Sequence, residues 1–143
     1  MLHAQSATTA TPVRPSALFD FLPVLFGADY LTAEACIFAY AQKYLRDYCG
    51  GEWTFNQLPD GAGYLAPEET RVVVSNPDNG FEGEMSSDAA GIFITAMVLN
   101  HRAWMHSHHD QPEASRHYVT RYEQLMAFVS THREAGAIYR ALD

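Results

Sequence analysis

Glu68, Glu69, Asp78, Glu82, Glu84 and Asp88 crowd one short stretch of this chain. Carboxylates at such density can do three kinds of chemistry. A pair flanking a glycosidic bond can act as acid and base, and Glu82 and Glu84 stand two apart on one strand face, but nothing marks a sugar cleft. Clustered, the carboxylates could hold magnesium. Displayed, they form an acidic recognition surface, which needs only like charge on an exposed face. The plain alternative is a solvated sheet face.

Two further groups invite chemistry. His106-Ser107-His108-His109-Asp110 offers imidazoles and a carboxylate, donors that suit zinc or nickel. Its spacing lacks the helical i, i+4 pair of a stronger site, so it reads as a polar interhelical loop. Cys49 falls near the C-terminal end of a predicted helix, where a thiolate is not favoured, and reads as a packing cysteine. No phosphate loop, Ser-His-Asp pattern, CxxC pair or dinucleotide fingerprint is present. The expectation is therefore no catalytic residue, no metal ligand and no cofactor. A metal-dependent hydrolase using the acidic cluster, with His108 or His109, is the alternative.

The element that positions the acidic residues runs from Asn79 to Gly91. Asn79-Gly80 completes a turn, and Phe81 to Met85 reads as a strand. Strand side chains alternate, so Phe81, Gly83 and Met85 share one face while Glu82 and Glu84 point the other way. Ser86 or Ser87 can cap the next helix, with Asp88 in its first turn. Gly80 serves the turn, Gly83 permits close approach of a backbone or partner, and Gly91 allows close packing of an otherwise apolar helix. The residues expected to meet a partner are Asn79, Phe81, Glu82, Glu84, Ser86 and Asp88. Gly80, Gly83 and Gly91 are expected to be critical to the backbone.

Around this stretch the chain reads as one domain, residues 16–143, behind a loose N-terminal arm of residues 1–15. Ser16 to Leu22 is a short helix or an apolar docking segment, interrupted at Pro23. A second helix starts at a Thr32 cap, stapled by Leu31 onto Cys36, and runs to about Tyr48. Glu52–Gln57, Gly63–Ala66, Arg71–Ser75 and Phe81–Met85 are strands joined by short turns, which implies a four-stranded antiparallel meander. Ser87 to Trp104 is apolar nearly all round and so is buried. Pro112 opens an amphipathic helix, and Arg133 to Leu142 a last short one. The fold class is α+β, a small antiparallel sheet packed against several helices, one of them central and buried.

Composition narrows the partners. Seventeen acidic against nine basic residues give a formal charge of −8. An acidic balance disfavours direct nucleic-acid binding. No run of about 18 apolar residues suggests a membrane span. Cys36 and Cys49 lie about 19 Å apart along a helix, too far for a disulfide, which fits free thiols in a reducing cytoplasm.

The stretch Asn79-Gly80-Phe81-Glu82-Gly83-Glu84-Met85-Ser86, followed by Asp88-Ala89-Ala90-Gly91, resembles the motif of the ArdB/KlcA antirestriction family. Asp47-Tyr48-Cys49-Gly50-Gly51-Glu52-Trp53, Gly63-Tyr64-Leu65-Ala66-Pro67, Asn100 and Ala137-Ile138-Tyr139-Arg140-Ala141-Leu142-Asp143 extend the likeness, which covers roughly residues 21–143. The resemblance implies a small cytoplasmic α+β protein carried by plasmids or other mobile elements. It would relieve type I restriction of incoming DNA without being an enzyme. The partner would be a protein, a type I restriction-modification complex or an associated host factor, met by a monomer or weak homodimer.

Overall fold

The computed structural model describes residues 9–143. It contains five strands, β1 (Thr11–Pro12), β2 (Trp53–Gln57), β3 (Gly63–Pro67), β4 (Arg71–Asn76) and β5 (Phe81–Ser86). Five α-helices accompany them: α1 (Leu18–Phe26), α2 (Tyr30–Tyr44), α3 (Ser87–His108), α4 (Pro112–Val129) and α5 (Ala135–Leu142). The architecture is α+β, as expected.

The centre is α3. From Ala89 to Leu99 every residue is buried, so the helix has no solvent-facing side over those three turns. It packs against α4, α2, α5 and the strand β3. The contact with β3 is unusually close because Gly91 faces it: a Cβ at residue 91 would collide with the Leu65 carbonyl oxygen and approach Ala66 Cα to 2.5 Å. Thr95, one turn on, serves the strand's free edge. Leu65 N–H donates to Thr95 Oγ1 (3.1 Å), and the same hydroxyl donates back to the Leu65 carbonyl (3.4 Å).

That contact explains a departure from the expected four-stranded meander. All four strands form at their expected places, and each pairing is antiparallel, but they divide into two sheets, β1-β2-β3 and β4-β5. The edge of β3 is occupied by the helix, so β4 cannot pair there. β4 instead meets the chain leaving α2, through a Leu45–Val74 bridge and an Arg46 N–H bond to the Val73 carbonyl at 2.9 Å. Of the expected arm, residues 1–8 lie outside the described residues. Thr11 and Pro12 join the first sheet opposite Gln57 and Asn56, where proline is tolerated because the strand is an edge.

Helix boundaries also move. α1 runs through Pro23, which costs one ladder bond, and ends at Gly27 with φ 78°. α2 begins at Tyr30, not Thr32, and stops at Tyr44, not Tyr48. Leu31 staples nothing, being 67% exposed. α3 continues past Trp104 to His108, so the expected His-rich loop is mostly helix. The stretch Leu18–Tyr44 is long and apolar enough to span a membrane by length and composition alone, and Ala33, Ile37, Ala41 and Tyr44 of α2 lie in the core. Both cysteines are free thiols.

Candidate functional site

The β4–β5 hairpin carries five of the six residues that the sequence marks as contacts, and Asp88 stands in the first turn of α3. Each β5 side chain takes the face that alternation assigns it: Glu82 and Glu84 are exposed and Met85 is buried. The exposed acids are not free charges. Glu82 Oε1 accepts from Arg46 Nη2 at 2.5 Å, and Glu84 Oε1 accepts from Arg71 Nε at 2.6 Å. Both pairs are half in solvent, with Glu82 and Arg46 each 51% exposed. The face is a lattice of alternating sign and not an acidic patch. On the other face, the Phe81 ring lies over Gly83, whose Cβ would meet it at 3.0 Å. Gly83 therefore makes room for a side chain of its own strand. Gly80 holds φ 77° in the turn, a left-handed backbone that glycine adopts without strain.

The remaining three contact candidates are engaged inside the molecule. Asn79 Nδ2 donates to the carbonyls of Ala141 (3.0 Å) and Arg140 (3.3 Å), and Asn76 Nδ2 also donates to Ala141 (2.8 Å). Two asparagines of the hairpin thus satisfy the last carbonyls of α5, which no intrahelical donor can reach. Ser86 caps α3 by accepting from Ala89 N–H at 3.1 Å. Glu134, from the α4–α5 connection, accepts from the Ser86 N–H (3.0 Å) and its hydroxyl. This is the reciprocal arrangement of a capping box, with the carboxylate supplied from far along the chain in place of the helix's own third residue. Ser87, the other capping candidate, donates to the Glu69 carbonyl at 2.5 Å.

Asp88 accepts from Tyr64 Oη (2.6 Å) and His132 Nε2 (2.8 Å). The Glu134 N–H donates to His132 Nδ1 at 2.9 Å, so that nitrogen is bare and Nε2 carries the proton. Burial acts to raise the Asp88 carboxyl, but the His132 and Tyr64 hydrogen bonds, with the charge of Arg133, outweigh it and hold the group below the usual aspartate value. Burial and the Asp88 carboxylate together push the Tyr64 phenol well up. For Glu134, burial is likewise outweighed, here by the Ser86 bonds and the charge of Arg133.

A second polar centre was missed from the sequence. Asp29 precedes α2 at the capping position but does not cap it. Its Oδ2 instead accepts from Arg102 Nε (2.9 Å) and Nη2 (2.5 Å), His106 Nε2 (3.1 Å) and Tyr118 Oη (2.8 Å). Burial acts to raise this carboxyl, and the donors together with the Arg102 charge outweigh it. The available signal was Arg102 and His106 at i, i+4, which puts both on one face of α3. His106 is buried, and its Nδ1 faces Gln111 Oε1 at 2.5 Å. A cleft of about 780 Å³ opens beside it, between Phe26–Asp29 and the start of α4.

For metal chemistry donors must converge, and among the described residues no group of three or more His, Cys, Asp and Glu side chains could hold an ion. The structure separates the acids of the sequence cluster into ion pairs at Glu82 and Glu84 and a hydrogen-bonded carboxylate at Asp88. His108 is exposed and tied to the Trp104 carbonyl (3.3 Å), within a turn of the buried His106.

Comparison with known proteins gives a consistent answer. The family profile described as Antirestriction protein matches residues 46–143. The chain is 43% identical to the putative antirestriction protein YubI of Escherichia coli K12 over 124 residues, 87% of this chain and 88% of the relative. It is 39% identical to the antirestriction protein KlcA of Escherichia coli over 142 residues, 96% and 95% of the two chains. A solved structure from work on KlcA and ArdB, proteins described as having antirestriction activity against type I DNA restriction systems in vivo but not in vitro, superposes with a TM-score of 0.84. It shares 34% identity, and the match covers 100% of both chains.

Proposed function

Because this chain belongs to the antirestriction protein family, we propose that it relieves type I restriction of incoming DNA in the cytoplasm by binding a protein, with no catalysis and no extended imitation of DNA. The observation that carries this reading is the pairing of Glu82 with Arg46 and of Glu84 with Arg71. Duplex DNA presents about one charge per 1.7 Å of axis, so a mimic of a twenty-base-pair site needs on the order of 40 ordered charges. This chain has seventeen acidic residues against nine basic ones, and the two carboxylates best placed to act are neutralised on the surface. Alternating charges in fixed register suit a complementary protein face, where they set specificity.

Contact falls on Glu82, Glu84 and the half-buried Phe81, while Asn79, Ser86 and Asp88 hold that face in shape. The related proteins' activity in vivo but not in vitro fits a partner that only the cell supplies. The partner is a type I restriction-modification complex or a host factor associated with it. The test is the plating efficiency of unmodified phage on a host with an active type I system. Wild-type protein raises plating, and Glu82→Ala with Glu84→Ala lowers that relief at least tenfold. Half-exposed ion pairs contribute only about 0–1 kcal/mol each, so the double variant stays folded by circular dichroism. Full relief by a folded double variant would sink the assignment of this face.

A further inference from the structure

Helix α2 carries apolar side chains on two faces. Ala33, Ile37, Ala41 and Tyr44 enter the core, while Leu31, Ala35 and Phe38 face solvent, and the exposed Gln42 continues their line. At 3.6 residues per turn these four outer positions fall within about 60° of arc and span about 17 Å. Their i, i+4, i+7, i+11 spacing is the alternating seam of a coiled coil. Leu31 is 67% exposed and Phe38 37%. The Phe38 ring is held edge-on by Trp53, with centroids 5.6 Å apart, so the middle of the seam is preformed. Thr32 and Ala39, exposed on the adjoining flank, are small and leave room for a second helix to come close.

We propose that this seam docks a second copy of the chain, α2 against α2, antiparallel about a two-fold axis. Centred between Ala35 and Phe38, an antiparallel pair sets Ala35 on Phe38 of the partner subunit, and the symmetry repeats that layer. Each of these two inner layers joins one large and one small side chain, the arrangement that fills a helix interface. The outer layers set Leu31 on Gln42 of the partner subunit. There the two methylenes of the glutamine cover the leucine, and its amide stays in water at the end of the seam. A parallel pair would stack Phe38 on itself, leave Ala35 over a void and face amide with amide. Such self-complementarity is what an isologous contact requires. A lipid surface fits less well, since interfacial helices carry basic flanks and the charged residues of α2 are one Glu34 and one Lys43. The seam alone offers well under the roughly 800 Å² per partner of a standard interface, so the dimer is weak, with Kd on the order of 100 μM. The two-fold axis brings identical flanks together. It repeats Glu34 about 8 Å along the axis, a like-charge contact that opposes association.

Sedimentation velocity on the full chain, from about 5 μM to 1 mM and with an added arm of anionic phospholipid vesicles, tests this. The expected result is a reversible rise from monomer to dimer. Leu31→Glu and Ala35→Glu, at exposed sites, keep the chain monomeric with an unchanged melting temperature. Glu34→Gln moves the midpoint to a several-fold lower concentration. A monomer at every concentration overturns the proposal. So does association that Leu31→Glu leaves intact or that Glu34→Gln weakens, and so does vesicle binding without self-association.

Discussion

Four donors converge on one oxygen of Asp29, and they come from two helices distant in sequence, α3 through Arg102 and His106 and α4 through Tyr118. Arg102 and His106 are nearly buried, with side chains 15% and 9% exposed. Removing the carboxylate strands a guanidinium in a poorly solvated place, which costs more than the original pair contributed. Asp29→Ala should therefore lower stability by about 3 kcal/mol in urea unfolding, against less than about 1 kcal/mol for Glu84→Ala, whose Arg71 partner returns to water. Asp29 was hidden in the sequence because an aspartate beside Gly27-Ala28 reads as a turn residue. Only the tertiary fold turns its side chain away from the α2 start and toward Arg102, His106 and Tyr118. Asp88 was visible as a helix-start acid, but its partners Tyr64 and His132 lie on β3 and beyond α4, out of reach of any local pattern.

At the scale of elements, the apolar and alternating patterns located all of the helices and four of the five strands. Pairing was another matter. A strand's hydrogen-bonding edges leave no mark on its side-chain pattern, so nothing in Gly63–Pro67 announces that a helix takes its edge. Gly91 and Thr95 hold that information, and they belong to the helix. The consequence is measurable. Gly91→Ala raises helix propensity by about 1 kcal/mol but drives a methyl group into the backbone of Leu65 and Ala66, and overpacking a core typically costs about 1–3 kcal/mol. The backbone cannot rotate aside as a side chain would, so the net effect is destabilising. It should appear as a melting temperature several degrees lower, whereas the same change at an open helix site would raise it. His106 follows the same logic. A His-rich run looks polar and loop-like, yet α3 continues through it because one imidazole finds Asp29.

Across the whole molecule, three carboxylates in different places titrate lower in the folded chain than in the unfolded one: Asp29, Asp88 and Glu134. The sign follows directly. Each adds stability above its unfolded pKa of about 4, and that stability is lost as pH falls through the folded value. Urea midpoints should thus hold steady from pH 7 to about 5 and drop steeply below about 4. Asp88→Asn should flatten that acid limb. A limb that Asp88→Asn leaves unchanged would mean that other groups set the acid sensitivity. Two of these carboxylates tie the segment after α4 to the start of α3, and the hairpin asparagines tie the end of α5 to β4 and β5. On the ribosome, β5 and the first turn of α3 emerge long before His132, Glu134 and Ala141 do. Until those residues appear, the central helix has only half its cap, Asp88 lacks its imidazole, and the hairpin turn has no helix end to hold. The start of α3 and the hairpin turn, beside the face proposed to meet the partner, therefore gain their full set of bonds only once the last dozen residues have emerged.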